Sequence, residues 1–167
     1  MANKQILGSS KIDRIVQRMA YEIWEKNFDC ERIILAGIAN AGTKLGEMLK
    51  QKLELINCSK QLELIEVKVD KHSPNVDNIE FSKTIAPLAD DVVIIVDDVL
   101  YTGGTMVHAT IPYIQMGFTK VQVAVLVFRD YLKFPIRPDF VGISLASTTQ
   151  EHVEVILDAN NSSAYLS

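Results

Sequence analysis

Val92-Val93-Ile94-Ile95-Val96-Asp97-Asp98-Val99-Leu100-Tyr101-Thr102-Gly103-Gly104-Thr105 decides the fold of this chain. Val92 to Val96 is an unbroken β-branched run, the pattern of a strand buried on both faces, and such strands belong to parallel sheets covered by helices. Two carboxylates close the run, and a Thr-Gly-Gly-Thr turn leads into Thr105 to Met116, where Val107, Ile111 and Ile114 recur at helical spacing. Pro112 inside that segment predicts a kink or a shifted start. Strand, glycine turn and helix N-terminus together form an anion cradle: the glycines let backbone amides approach a ligand, the threonine hydroxyls add donors, and the helix dipole favours negative charge. Its size suits one phosphate group. No Gly-Lys-Ser/Thr ending and no Gly-x-Gly-x-x-Gly follows, which turns the reading away from nucleoside triphosphates and dinucleotides. Asp97 and Asp98 repel a phosphate, but they can accept hydrogen bonds from vicinal sugar hydroxyls or hold Mg²⁺, so a phosphorylated sugar satisfies both halves of the motif. Adjacent strand residues face opposite ways; both acids reach one sugar only if the strand is ending there and the chain is turning.

Outward from this segment, Lys120 to Phe128 supplies a second buried strand, and Glu31 to Ile38 a third. The third runs into a loop, Ala39-Asn40-Ala41-Gly42, behind which Leu45, Met48, Leu49, Leu53 and Ile56 restart a helical period. Upstream, Ser10 with Asp13 resembles a capping box opening an amphipathic helix that carries Ile12, Ile15, Val16, Met19, Ala20, Ile23 and Trp24 and ends near Asn27. Leu62 to Val69 alternates before settling into Val67 and Val69, which predicts a strand nearer an edge. Asp70 to Asp90 is polar and too long for an ordinary connection; it reads as a lid, with Lys71 and His72 its candidate substrate contacts. Phe140 to Leu145 and Val153 to Leu157 add two late strands. Repeated βαβ crossovers imply an α/β fold in one domain, residues 1–167, with a mainly parallel sheet whose carboxyl ends hold the ligand.

Composition narrows the classes further. The 167 residues are 48% hydrophobic and 23% charged with a net charge of −4, which excludes intrinsic disorder and a strongly basic nucleic-acid binder. The longest apolar runs, Ile33 to Ala39 and Val123 to Phe128, fall far short of the roughly 20 residues that cross a bilayer. Met1 to Gly8 has no apolar core, so no secretory leader is expected and the cytoplasm is the expected compartment. Cys30 and Cys58, without a Cys-x-x-Cys pair, read as buried reduced thiols. His72, His108 and His152 lack ligand spacing.

The Val92–Thr105 segment closely resembles the phosphoribosyl-diphosphate (PRPP) signature of the type I phosphoribosyltransferases. The resemblance implies a parallel sheet flanked by helices, with a flexible lid loop and a small hood, and a reaction in which PRPP and Mg²⁺ bind, pyrophosphate leaves the anomeric carbon through an oxocarbenium-like state, and a nucleobase replaces it. It makes Asp97, Asp98 and Tyr101 the catalytic set. Asp97 and Asp98 hold the ribose hydroxyls, Tyr101, Thr102, Gly103, Gly104 and Thr105 hold the 5′-phosphate, and Asp158 is a second Mg²⁺ ligand. Asp98 to Gly103, Ala124 to Val127 and Pro135-Ile136-Arg137 look like the bacterial pyrimidine operon attenuation regulators that double as uracil phosphoribosyltransferases. In purine-type relatives an aspartate stands where Tyr101 does, so the tyrosine favours uracil, with Arg137 and Val141 as base contacts. Relatives of this type are commonly homodimers or higher homo-oligomers.

The chain departs from the pattern at the pyrophosphate loop. There the regulators carry Lys-Thr-Arg-Gly and this chain has Ala39-Asn40-Ala41-Gly42, so charge on the leaving group must be met by Mg²⁺, backbone amides, or a residue such as Lys44 or Lys71. Three readings follow: a uracil-type transferase; a nucleotide-sensing regulator that binds RNA through Lys11, Arg14 and Arg18 on the first helix; and a PRPP-binding module without turnover.

Overall fold

The computed structural model describes residues 4–56, 59–70, 72, 74–146, 151–158 and 161–167. In chain order the elements are β1 (Lys4–Leu7), α1 (Ser9–Lys26), β2 (Arg32–Ile38), α2 (Ala39–Ile56), β3 (Gln61–Lys68), a 3₁₀ turn (Val76–Asn78), β4 (Glu80–Phe81), β5 (Asp91–Leu100), α3 (Gly104–Gln115), β6 (Val121–Arg129), β7 (Phe140–Leu145), β8 (Val153–Ile156) and β9 (Ser163–Leu166). A six-stranded sheet runs β4-β3-β2-β5-β6-β7, and a separate three-stranded sheet runs β1-β9-β8. In the larger sheet every pairing is parallel except that of the short edge strand β4.

The apolar runs become the middle of this sheet because both their faces are covered. Val92, Ile94 and Val96 pack with Ile33, Leu35 and the inner faces of α1 and α2; Val93 and Ile95 pack with Ile34, Ala36 and the α3 residues Met106, Ala109 and Tyr113. Glycine sets the helix-to-sheet distance at one point. A Cβ on Gly42 would stand 2.4 Å from the Val96 carbonyl oxygen and 3.2 Å from the Asp97 Cα, so the start of α2 is seated directly against β5.

Several expectations need correction. Ala39-Asn40-Ala41-Gly42 is not a loop: it forms the first turn of α2, entered through Ala39 at φ 47°, a left-handed conformation that a non-glycine residue rarely adopts. The capping box is absent, since α1 starts at Ser9 behind Gly8; the Ser10 hydroxyl instead accepts from Arg14, and Ser9 donates to the Ser162 carbonyl at 2.8 Å. Pro112 lies inside a continuous α3. The late strands part company: β7 extends the main sheet, while β8 joins β1 and β9 in the hood. The stretch expected as a lid is partly pinned, because Ile79 and Phe81 pack on the α3-side core and Phe81 meets Tyr113 edge to face at 5.5 Å.

At the amino ends of β2, β3 and β5, opposite the site, a buried ion network ties the strands together. Arg32 bridges Asp91 through both carboxylate oxygens, bonds Glu63 at 3.1 Å and donates to the Ala86 carbonyl at 2.8 Å, while Lys83 pairs with Glu63 from outside. Lys83, with help from Arg32, holds the Glu63 carboxyl below its ordinary range despite burial. Burial pushes Asp91 upward, but the Arg32 guanidinium and the Leu88 N–H outweigh it and hold that carboxyl low as well. Cys30 is buried with its thiol pushed up by desolvation, as a structural cysteine should be; Cys58 lies outside the described residues.

Candidate active site

The carboxyl end of β5, the turn after it and the start of α3 build one cleft of about 100 Å³, lined by Asp97, Val99, Leu100, Tyr101, Thr102, Gly103, Gly104, Thr105 and Met106. Gly103 sits at φ 88°, the left-handed region the turn requires, and Gly104 opens α3. The first amides of α3 have no intrahelical acceptor, and Thr102 and Thr105 line the cleft beside them. The loop after β6 clamps this turn. Lys133 and Phe134 donate their N–H groups to the Thr102 carbonyl at 2.9 and 3.2 Å. A Cβ on Gly103 would come within 2.8 Å of Ile136, and one on Gly104 within 3.2 Å of the Phe134 ring. His108 bonds the Gly104 carbonyl through Nδ1 at 2.7 Å and meets Phe134 edge on, a packing role.

The two acids do not sit at a strand end. β5 continues to Leu100, with Val99 packed on the α1/α2-side core and Leu100 on the α3-side core. Asp97 is 3% exposed, lines the cleft, and accepts the Asp98 N–H at 3.0 Å. Asp98 is half-buried. Asp97 thus lines the cleft beside the glycine turn, and Asp98 is not among the residues lining it.

Other expected residues lie elsewhere. Arg137 is exposed and pairs with Asp130 at 3.6 Å; Val141 packs against the α3-side core from β7. Neither is among the residues lining the cleft. Asp158, just past β8, pairs with Lys44 of α2 at 2.9 Å, in a polar groove that includes Ser9, Asp13 and Ser162. Lys44 is therefore turned toward the hood. His72 is exposed with its N–H on Asp70, and Lys71 lies outside the described residues. Arg18 is engaged with Glu22 at 2.6 Å and with the Val141 and Gly142 carbonyls, which leaves Lys11 and Arg14 as the exposed cations of the α1 stripe. Among the described residues no three His, Cys, Asp or Glu side chains gather into a metal site, and no helix is long and apolar enough to cross a membrane.

Sequence reasoning missed Arg129 and Tyr131. Arg129 is 4% exposed at the end of β6, with its guanidinium carbon 4.2 Å from the centre of the Tyr101 ring; Tyr131 stacks on Tyr101 at 5.2 Å and 21°. A signal existed, for Arg129 ends an apolar strand as Asp97 interrupts its neighbour.

Known proteins are similar to this chain in sequence and fold. The chain is 36% identical over 162 residues to the Bifunctional protein PyrR of Fusobacterium nucleatum, covering 92% of this chain and 90% of the relative. It is 37% identical over 164 residues to the protein of that name from Brevibacillus brevis, covering 94% and 92%. The fold matches a hypoxanthine phosphoribosyltransferase of Staphylococcus aureus at a TM-score of 0.70 and 16% identity, over 90% of this chain and 81% of the other. A hypoxanthine-guanine phosphoribosyltransferase of Bacillus anthracis matches at 0.66 and 13%, over 87% and 84%. Residues 2–159 match the family model of the phosphoribosyl transferase domain, and with the glycine turn, the carboxylate beside it and the parallel sheet beneath, the chain belongs to that family.

Proposed function

We propose that this chain transfers the ribose 5-phosphate group of PRPP to a nucleobase, uracil foremost, and releases pyrophosphate. The observation that carries the reading is the juxtaposition of the Tyr101–Thr105 turn with Asp97 in one cleft: a seat for a single phosphate beside an acceptor for sugar hydroxyls. In the reaction the bond from the anomeric carbon to the diphosphate oxygen breaks, and a bond to the base nitrogen forms. The electron pair leaves with the diphosphate, and the proton of the base passes to solvent. Asp97 orients the ribose and, being buried, opposes the positive charge that grows on the ring in the transition state. Tyr101 stands at the mouth of the turn, where the base must approach.

The diphosphate faces the first turn of α2. Ala39, Asn40, Ala41 and Gly42 offer it amide donors and a helix dipole but no cation. Mg²⁺ bound there would neutralise the leaving group. The donor set fits an ion that arrives with the substrate, since Mg²⁺ keeps several waters and phosphate oxygens and asks for only one or two carboxylates. Asp98, next along β5 from Asp97, would hold it; Asp158 is already paired with Lys44 across the groove. Ile79 and Phe81 anchor the downstream end of the segment between β3 and β4, which is the proposed lid.

The test is a product assay with Mg²⁺, PRPP and, separately, uracil, orotate, hypoxanthine, guanine, xanthine and adenine. Nucleotide from uracil alone is the expected result. PRPP binding without product from any base refutes turnover and leaves a binding module. A second activity, RNA binding in a regulator, is favoured by the word bifunctional in the name of the relatives and by exposed Lys11 and Arg14. It requires salt-dependent binding to a pyrimidine leader transcript, and no binding at low salt rejects it.

A further inference from the structure

β2 runs into α2 without a linking residue, and one hydroxyl spans the junction. Ala39, the first residue of α2, stands at φ 47°, a strained conformation for a residue with a Cβ that persists only where the surroundings hold it. The Thr43 hydroxyl donates to the Ala39 carbonyl at 2.5 Å and, as a shared bond, to the carbonyl of Gly37 in β2 at 3.2 Å. A threonine that bonds the carbonyl four residues back is ordinary in a helix; the reach to Gly37, six residues back and outside α2, is not. The backbones approach closely at the same point, for a Cβ on Gly37 would stand 2.5 Å from the Thr43 Cα and 2.7 Å from its nitrogen. Gly42 seats this turn on β5, and Thr43 closes it on β2.

We infer that Thr43 is a positioning residue: its hydroxyl holds Ala39 in the left-handed conformation, and that conformation aims the free amides of the first turn of α2 at the diphosphate of PRPP. The inference rests on the phosphoribosyl reading of the cleft and adds to it the group that keeps the turn in shape. Where a left-handed residue adjoins right-handed ones, successive N–H groups converge on one point, which suits an anion. Ala39, Asn40, Ala41 and Gly42 bring no cation, so the hold of this chain on the leaving group depends on where those amides stand. Donors already in place need no reorientation as charge develops on the diphosphate. Thr43 does not touch the diphosphate; it acts through Ala39.

Calorimetric titration in Mg²⁺ with PRPP and, separately, ribose 5-phosphate reads the part played by the diphosphate without relying on turnover. The wild-type chain should bind PRPP the more tightly. Thr43→Val removes the hydroxyl while keeping the shape of the side chain, and should weaken PRPP binding about tenfold with ribose 5-phosphate affinity unchanged. Thr43→Ser should bind PRPP as the wild type does. Glycine takes a positive φ freely, so adding Ala39→Gly to Thr43→Val should recover most of the lost affinity. PRPP affinity that is unchanged in Thr43→Val, or still low in the double variant, overturns the positioning role and leaves the phosphoribosyl reading intact. An equal loss for both ligands does the same, since it marks a merely structural side chain. A wild-type chain that binds neither ligand overturns both.

Discussion

Replacing Arg32 with methionine removes the centre of the buried network beneath the sheet while keeping an unbranched apolar stem in its place. Arg32 is 9% exposed at its side chain, Asp91 3% and Glu63 12%, so the substitution strands Asp91 as a buried charge. Breaking such a pair costs about 3–5 kcal/mol. For a chain of this size each kcal/mol moves the midpoint by roughly 2–4 °C, so the midpoint should fall by about 6–20 °C. The pH dependence carries the sign. In the native protein Glu63 and Asp91 titrate below their ordinary values, so the stability they contribute is present above the unfolded carboxylate range of about pH 4 and is lost as the pH falls through the depressed values. Without Arg32 only burial and the Leu88 N–H act on Asp91, its carboxyl moves up, and protonation relieves the stranded charge. The gap between the two proteins should therefore narrow on acidification. The site itself should be untouched, because β2 carries the chain about 20 Å from Arg32 to Ile38. Thermal denaturation between pH 4 and 8, with PRPP affinity measured in parallel, checks each part. A midpoint unchanged at pH 7, or a gap that widens toward pH 4, refutes the reasoning.

Three other substitutions probe the site. Gly42→Ala places a methyl against the Val96 carbonyl and pushes α2 off β5; it should cost about 1–3 kcal/mol in a denaturant titration and raise the PRPP KM through the displaced first turn. Gly103→Ala combines a left-handed backbone with a collision against Ile136, so PRPP affinity should drop about tenfold or more while circular dichroism shows the sheet intact. Asp158→Asn breaks an exposed ion pair worth at most about 1 kcal/mol, and the Mg²⁺ concentration for half-maximal turnover should stay where it is; a marked rise would assign Asp158 to the metal.

The central sheet was legible because burial on both faces leaves a continuous apolar run, and β2, β5 and β6 each carry one. The same logic erred at the margins of those runs. Asp97 and Asp98 look like the end of a strand, yet backbone pairing with β6 continues past them to Leu100, because hydrogen bonding is indifferent to side-chain polarity. Ala39 to Gly42 look like a loop because small residues show no apolar period and Gly42 is a poor helix former, yet that glycine is what lets the helix sit against β5. β1 and β9 were invisible: four residues each, held by one another across nearly the whole chain. At the site the glycine turn was readable, since its glycines answer a local backbone need, whereas Arg129 and Tyr131 meet Tyr101 only through the neighbour that the fold supplies.

That pairing of Lys4–Leu7 with Ser163–Leu166 bears on the order in which the molecule assembles. Closing a long loop costs entropy that only later contacts repay, so β2 with α2 and β3, and β5 with α3 and β6, can form as local units before β5 docks on β2. The hood waits for all of them, because β1 must join β8 and β9 from the far end of the chain. On dilution from denaturant, ellipticity should then recover ahead of the tie between Lys44 and Asp158, and the last thing this protein acquires as it folds is the roof over the groove beside its own site.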